Sequence, residues 1–384
     1  MGVRPVLIRC ALVLGSLLVT ALALEVLLRI AVPQWRGLVA QQFMTTTDGV
    51  SIAGVPNFDG RLAGLFGNFD VPLRFDARGF RNPPDADPAA PLAFIGDSFC
   101  QGWGVTREQS FPVLVGQRLG VPFYNYCTVG ADLADYLNIL RTWLPPRDGG
   151  TTVLTVTFEN DVLAYPDSAA DMGPTASVRG LSRTSGSRWL MSHSALFNVV
   201  TTLARQNTLI VALVHRLGLV SGVPVVAADG TDPIAASVRM IERIEQASGD
   251  GPFVVLMVPP RPGQVDFIDY DAFVAALVAK GFDVLDPRSQ PGLTISTIPH
   301  DGHWDAGMHA AIAPLLADRI RAAVARSARE GQPVSRGPMR PVARAGTPVT
   351  TDSAGTSRVT TAPAPTTARS PTVTPGRMTQ PAPR

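Results

Sequence analysis

Five short apolar runs, each set apart from the next by a stretch with helical spacing, limit most strongly what this chain can fold into. The runs lie at 92–95, 122–126, 152–157, 253–258 and 282–285, and apolar periodicity around them predicts helices over 109–119, 131–144, 233–247, 272–280 and 306–325. Strands alternating with helices pack as a mostly parallel sheet covered on both faces, an α/β arrangement. The helix at 233 has the clearest start: Thr231 or Asp232 can cap it, and Pro233 sits in the first turn, where a missing N–H does no harm. Residues 162–230 break the rhythm. They hold Gly/Ser-rich stretches and an apolar segment, 208–214, too short to cross a membrane, so they read as an insertion serving as a lid or acceptor-binding element.

With 384 residues, 46% of them hydrophobic, the chain can bury one substantial core, and both its ends read as non-globular. Residues 10–24 carry no charge, and with 26–28 the apolar run, interrupted only by Glu25, reaches roughly the 17 to 25 residues that span a bilayer. Residues 1–36 therefore read as a short stub and a transmembrane signal-anchor, with inner-membrane lipid as the partner. Arg4 and Arg9 precede the segment while Arg29 and Arg36 follow it, a small balance toward a cytoplasmic N-terminus and a single pass that exports the rest to the periplasm or beyond. A cleaved signal peptide is the rival, because Ala21-Leu22-Ala23 has the pattern of a cleavage site; hydrophobicity continuing through Ile30-Ala31-Val32 favours the uncleaved anchor. Over 331–384 the composition shifts to Pro, Thr, Ala, Ser and Arg without periodic apolar positions, the signature of a disordered tail.

Charge excludes one class of partner. The net charge is +2, and no basic block interleaved with aromatics occurs between the two ends, which weighs against nucleic acid. The cysteines, at 10, 100 and 127, are too few for a disulfide framework and lack zinc-ligand spacing. Cys100 and Cys127 each follow a predicted strand, so they form either an export-dependent disulfide or two buried thiols.

The chemistry-bearing residues fall at the ends of these strands. In LAFIGDSFCQGWGV, 92–105, an apolar strand runs into Gly96-Asp97-Ser98. Gly96 permits a tight turn, Asp97 supports it, and a serine starting a helix is surrounded by unpaired backbone N–H groups. A serine there is also a common helix cap, so the tripeptide alone does not decide. PHDGHWDAGMHA, 299–310, supplies an acid and a base: on an extended loop Asp301 and His303 face the same way, so the carboxylate can fix the imidazole tautomer and leave the other nitrogen to take a proton from Ser98. His300 and His309 read as neighbours, and without a cysteine or a second clustered carboxylate they make no metal site. Gly130 after YNYCTV and Asn160 after TVTFE can offer a backbone N–H and an amide to a developing oxyanion. Taken singly, these are a loop glycine and a helix cap; the order Ser, Gly, Asn, Asp/His, each after its own strand, points to one sheet edge.

This order resembles the SGNH, or GDSL-type, hydrolases, over most of 75–326, and FDARGFRNPP at 75–84 followed by GDSFCQGWGV is similar to their exported, membrane-anchored branch. The resemblance implies a three-layer α/β/α sandwich, flavodoxin-like, over 37–330. It implies a Ser98, Asp301, His303 triad and an oxyanion hole of Ser98 N–H, Gly130 N–H and the Asn160 amide, with neither metal nor organic cofactor. Two departures stand out. Phe158 occupies a position where the family pattern has glycine, and Asp301-Gly302-His303 has the shorter spacing of the related alginate-type O-acetyltransferases. The expected function is an esterase acting on O-acyl or O-acetyl groups of an envelope or extracellular glycan, or on a small ester. The alternatives are an O-acyltransferase with the same triad and an inactive envelope-binding scaffold.

Overall fold

A computed structural model describes residues 3–47, 51–166, 185–206, 231–260 and 268–330. Backbone contacts divide the chain into Met1–Ser335 and Arg336–Arg384. The tail expected at 331–384 and the apolar segment 208–214 lie outside the described residues. The chain opens with helix α1 (Val3–Ala31). Its stretch Leu7–Ala31, 25 residues, is long and apolar enough to cross a membrane. Two antiparallel hairpins follow, β1 (Met44–Thr47) with β2 (Ser51–Gly54) and β3 (Asp59–Ala63) with β4 (Asp70–Arg74).

The body is a parallel sheet of β5 (Leu92–Ile95), β6 (Phe123–Asn125), β7 (Thr151–Thr157), β8 (Phe253–Val258) and β9 (Asp283–Leu285), in the order β6-β5-β7-β8-β9. The intervening helices are α2 (Ser98–Gln101), α3 (Phe111–Leu119), α4 (Leu133–Trp143), α5 (Phe158–Asp161), α6 (Ser185–His193), α7 (Ala195–Gln206), α8 (Pro233–Ser248), α9 (Tyr270–Ala279) and α10 (Ala306–Glu330).

Side chains alternate across each strand, so one sequence run feeds two cores. Ala93, Ile95, Leu154, Val156, Val255 and Met257 pack with Leu137, Ile241 and Phe273 of α4, α8 and α9. Leu92, Phe94, Val153, Val254 and Leu256 pack on the opposite face with Phe111 and Val115 of α3 and with Met308, Ile312 and Leu316 of α10. This is the three-layer α/β/α sandwich. All residues of β7 are buried, as a central parallel strand requires. The chain leaves β5 for β6 on one side and returns to β7 on the other, and in such sheets the crevice at the carboxyl ends beside this reversal is where ligands gather.

The five expected strands and their helices are all present, with ends shifted by a few residues. The last helix runs to Glu330 rather than 325, and α3 starts at Phe111 rather than 109, behind a 3-10 turn at Arg107–Gln109. The hairpins are new. Their strands are only four or five residues long, DGRLA lacks an alternating apolar pattern, and they are held by tertiary packing, with Ile52, Leu62 and Leu73 clustered on Phe43, Phe69 and Phe75. Within the expected insertion, 185–206 forms the pair α6 and α7, packed against the end of α1. Cys100 and Cys127 are joined in a disulfide with Cα atoms 5.5 Å apart, which the neighbouring positions of β5 and β6 make possible.

Candidate active site

Ser98 follows β5 after two residues, and Gly96 is what allows that turn. A Cβ on Gly96 would stand 2.8 Å from Thr155 Cβ and 2.9 Å from Cys100 Cβ, so glycine is required by close packing against β7, not by an unusual φ. Asp97 caps α2: its Oδ1 accepts from Phe99 N–H at 3.0 Å, while Oδ2 accepts from Asn160 Nδ2 at 3.0 Å. Because α2 is one turn long, it offers Ser98 local N–H groups and little macrodipole.

The Asp301 and His303 pair sits in a turn, which corrects the expectation of an extended loop. Asp301 N–H and Gly302 N–H both donate to Ile298 O, at 3.1 and 3.3 Å, and Ile298 N–H donates to His303 O at 2.8 Å. A bridge between Thr297 and Trp304 closes the loop, with His300 at φ 63 and Gly302 at φ 91. Gly302 takes this left-handed backbone freely, and His300 is held there by neighbours: Asn68 Nδ2 donates to Pro299 O at 2.7 Å and the Phe66 ring lies 5.8 Å from the His300 ring. The turn still brings the two side chains together. His303 Nδ1 hydrogen-bonds Asp301 Oδ1, and His303 Nε2 lies 2.8 Å from Ser98 Oγ across 205 residues of sequence.

Gly130 and Asn160 come to the same edge. Thr128 N–H donates to Gly96 O at 2.9 Å, which lays the loop after β6 along the Ser98 turn, and Gly130 bends it with φ 74. Asn160 is exposed on α5 with one amide hydrogen given to Asp97. Phe158 leaves this geometry intact, since its ring is buried in the core, 5.1 Å from Tyr270 and 6.1 Å from Phe273.

Two residues near Ser98, Asp301 and His303 were not singled out in the sequence. Trp103 Nε1 donates to Asp301 Oδ2 at 3.2 Å, and its ring stacks on the His303 imidazole with centroids 5.3 Å apart. Arg81, 2% exposed, donates to the carbonyls of Gln101, Gly102, Val105 and Pro72, tying the segment that carries Trp103 to β4. Asn82 pairs with both backbone groups of Asn125, and Asp76 accepts from Arg78 N–H and Phe80 N–H. The FDARGFRNPP segment is thus a backbone clamp behind the serine turn. A tryptophan between two glycines just after the serine was the visible signal for Trp103; Arg81 carried none.

Electrostatics separate the carboxylates. Burial pushes Asp97 up, opposed by the Phe99 N–H, the His303 charge and the Asn160 amide. Asp161, fully buried and close enough to feel the charge of Asp97, is raised well above the carboxylate range. Asp301 moves the other way: burial would raise it, but the hydrogen bond and charge of His303, with help from Trp103, hold it below its usual value and keep it ionised. His309 accepts from Phe111 N–H at 3.2 Å, and burial pushes its pKa down to about 3, so it is a neutral packing residue. Among the described residues no group of three or more His, Cys, Asp or Glu side chains is placed to hold a metal ion.

No protein-family model and no curated sequence matches the chain. Solved structures do. A carbohydrate esterase family 2 enzyme of Corynascus thermopiles (Myceliophthora fergusii) is 14% identical at a TM-score of 0.36, covering 61% of this chain and 66% of that one. A family two carbohydrate esterase from Clostridium thermocellum is 12% identical at a TM-score of 0.33, covering 60% and 63%. A salicylyl-acyltransferase from a tetracycline biosynthetic pathway is 13% identical at 0.31, covering 62% and 55%. The chain spans less than two thirds of each of these three proteins.

Proposed function

We propose that this chain is a membrane-anchored serine esterase that removes O-acyl groups, acetyl foremost, from an envelope or extracellular glycan. The observation that carries the reading is the hydrogen-bonded line from Ser98 Oγ through His303 to Asp301. His303 Nε2 takes the Ser98 proton as Oγ attacks the ester carbonyl carbon, and Asp301 holds the tautomer and balances the imidazolium. The tetrahedral oxyanion accepts from Ser98 N–H, Gly130 N–H and the second amide hydrogen of Asn160. His303 then returns the proton to the departing sugar oxygen as the C–O bond breaks, leaving an acyl-serine. Water activated by the same imidazole completes hydrolysis.

The glycan follows from the α1 anchor read as exporting the domain, and from the family the residues resemble. A second reading has one sequence feature in its favour: the Asp301-Gly302-His303 spacing is that of O-acetyltransferases, in which a sugar hydroxyl takes the place of water. The connected triad geometry weighs against an inactive scaffold. Hydrolysis of p-nitrophenyl acetate by the full chain in detergent, compared with Ser98→Ala, Asp301→Asn and His303→Ala, tests the reading. Each variant is expected to lose activity by a large factor, and the losses should not add, because the three groups act as a unit. Undiminished turnover by Ser98→Ala would remove the mechanism. Labelled acetyl appearing on an added glycan faster than as free acetate would select transfer.

A further inference from the structure

The end of α1 is built into the folded domain. Glu25, the one acid in the apolar stretch, accepts from Ser194 Oγ and from the N–H groups of Ala195 and Leu196, each at 2.9 Å, and so caps α7. Arg29 pairs with Glu25 and also donates to His193 O. Leu28 and Val32 pack on the cluster that joins Trp35 to Met191, Ala195 and Val199.

These contacts fix a height. At about 1.5 Å per residue, roughly 20 residues cross a hydrocarbon core of about 30 Å, so a crossing that begins after Arg9 ends near Arg29. Glu25, four residues earlier, then lies about 6 Å inside that boundary, and the residues that hydrogen-bond to it lie at the same level. A lone carboxylate there is costly; one with an arginine and three further donors is satisfied. Beyond the residues bound to Glu25, α6 and α7 leave apolar side chains uncovered: Trp189 is 59% exposed, Leu190 37%, Val200 53% and Leu203 48%. Leu196, Val200 and Leu203 follow the spacing of one helical stripe, and tryptophan favours the membrane–water boundary.

We infer that α6 and α7 form a lipid-facing platform seated in the outer interface of the bilayer that α1 crosses, making anchor and domain one body instead of a domain on a tether. The occupant of the apolar face is lipid. The inference rests on the reading of α1 as an uncleaved anchor. Its consequence for the site is positional. Ala63 and Leu65 of the second hairpin pack into the same cluster, and Asn68, on the same hairpin, holds the loop that carries Asp301 and His303. The triad is thereby held at a set distance from the membrane surface.

The test uses the full chain in nanodiscs of phosphatidylcholine and phosphatidylglycerol. Single cysteines replace Leu18, Val200, Leu203 or Val278 in a Cys10→Ser background, are labelled with an environment-sensitive dye without reductant, and are probed with nitroxide lipids carrying shallow or deep quenchers. Val200 and Leu203 are 53% and 48% exposed, so the labels disturb no packing. The platform predicts that dyes at 200 and 203 lose fluorescence to the shallow quencher, the dye at 18 to the deep one, and the dye at 278 to neither. Quenching at 18 with none at 200 and 203 would overturn the platform while leaving the anchor intact. No quenching at 18, or loss of the residue by cleavage, would sink the anchor reading itself and the platform with it. Energy transfer between copies labelled at 200, without lipid quenching there, would assign the face to a second copy and refute the lipid assignment.

Discussion

Replacing Trp103 with phenylalanine removes one N–H from the site and keeps an aromatic ring over His303. The lost contact is the 3.2 Å hydrogen bond to Asp301 Oδ2. A hydrogen bond to a charged group contributes about 1.5 to 3 kcal/mol, and the length of this one puts it at the lower end. About 1.5 kcal/mol corresponds to roughly tenfold in kcat/KM, far less than the roughly ten-thousandfold expected when the acid that orients a catalytic histidine is replaced, as in Asp301→Asn. The pH profile carries a second signature. The Trp103 N–H is one of the contacts that hold Asp301 below its usual value, so without it the carboxylate takes up a proton at higher pH and stops orienting His303 sooner as pH falls. The acid limb of kcat/KM against pH should therefore move upward in Trp103→Phe. Initial-rate p-nitrophenyl acetate assays from pH 3 to 9 read both effects. An unchanged rate with an unmoved limb, or a loss confined to KM, would refute the positioning role of Trp103.

His309 gives a stability prediction whose sign follows from its burial. Its folded-state pKa of about 3 lies below the unfolded value of about 6.5, so the unfolded chain binds the proton first and stability falls as pH drops through that window. Between pH 7 and pH 5 this amounts to about 2 kcal/mol, which urea unfolding at the two pH values measures; an equal loss in His309→Gln would contradict it. The Cys100–Cys127 bond closes a separation of 27 residues, worth about 3.5 kcal/mol on a chain-entropy account, so Cys100→Ser with Cys127→Ser should unfold at lower urea and hydrolyse more slowly, since Ser98 and Gly130 lie beside the two cysteines. Retained stability would place its role elsewhere. Arg81→Lys should lose activity along with stability, because one ammonium cannot serve the carbonyls of residues 72, 101, 102 and 105 together; full rescue by lysine would remove the clamp.

The sheet was legible because parallel strands buried on both faces write themselves as short apolar runs, and residues such as Val153 and Leu154 serve opposite cores from adjacent positions. The hairpins were not, because Leu62 and Leu73 are buried by partners distant in sequence, not by a local pattern. Ser98, Asp301 and His303 could be read from residue type and from order along the chain, yet their facing relation depends on a turn with Gly302 at positive φ, not on the two-residue repeat of an extended strand. Trp103 and the disulfide share one reason for remaining open: each depends on which loops and strands end up adjacent. The role of Glu25 shows the same limit. In sequence it interrupts an apolar run, and only the contact with α7 turns the interruption into a cap.

The central claim is that Ser98 is a nucleophile made reactive by His303. Labelling the full chain with a serine-directed fluorophosphonate, followed by peptide mapping, measures this without knowledge of the natural substrate. A single adduct on the Ser98 peptide is predicted, forming faster as the imidazole loses its proton and slowed by orders of magnitude in His303→Ala. Labelling of Ser98 at an undiminished rate in His303→Ala, or no adduct at Ser98 under conditions that label a control serine esterase, would contradict the account.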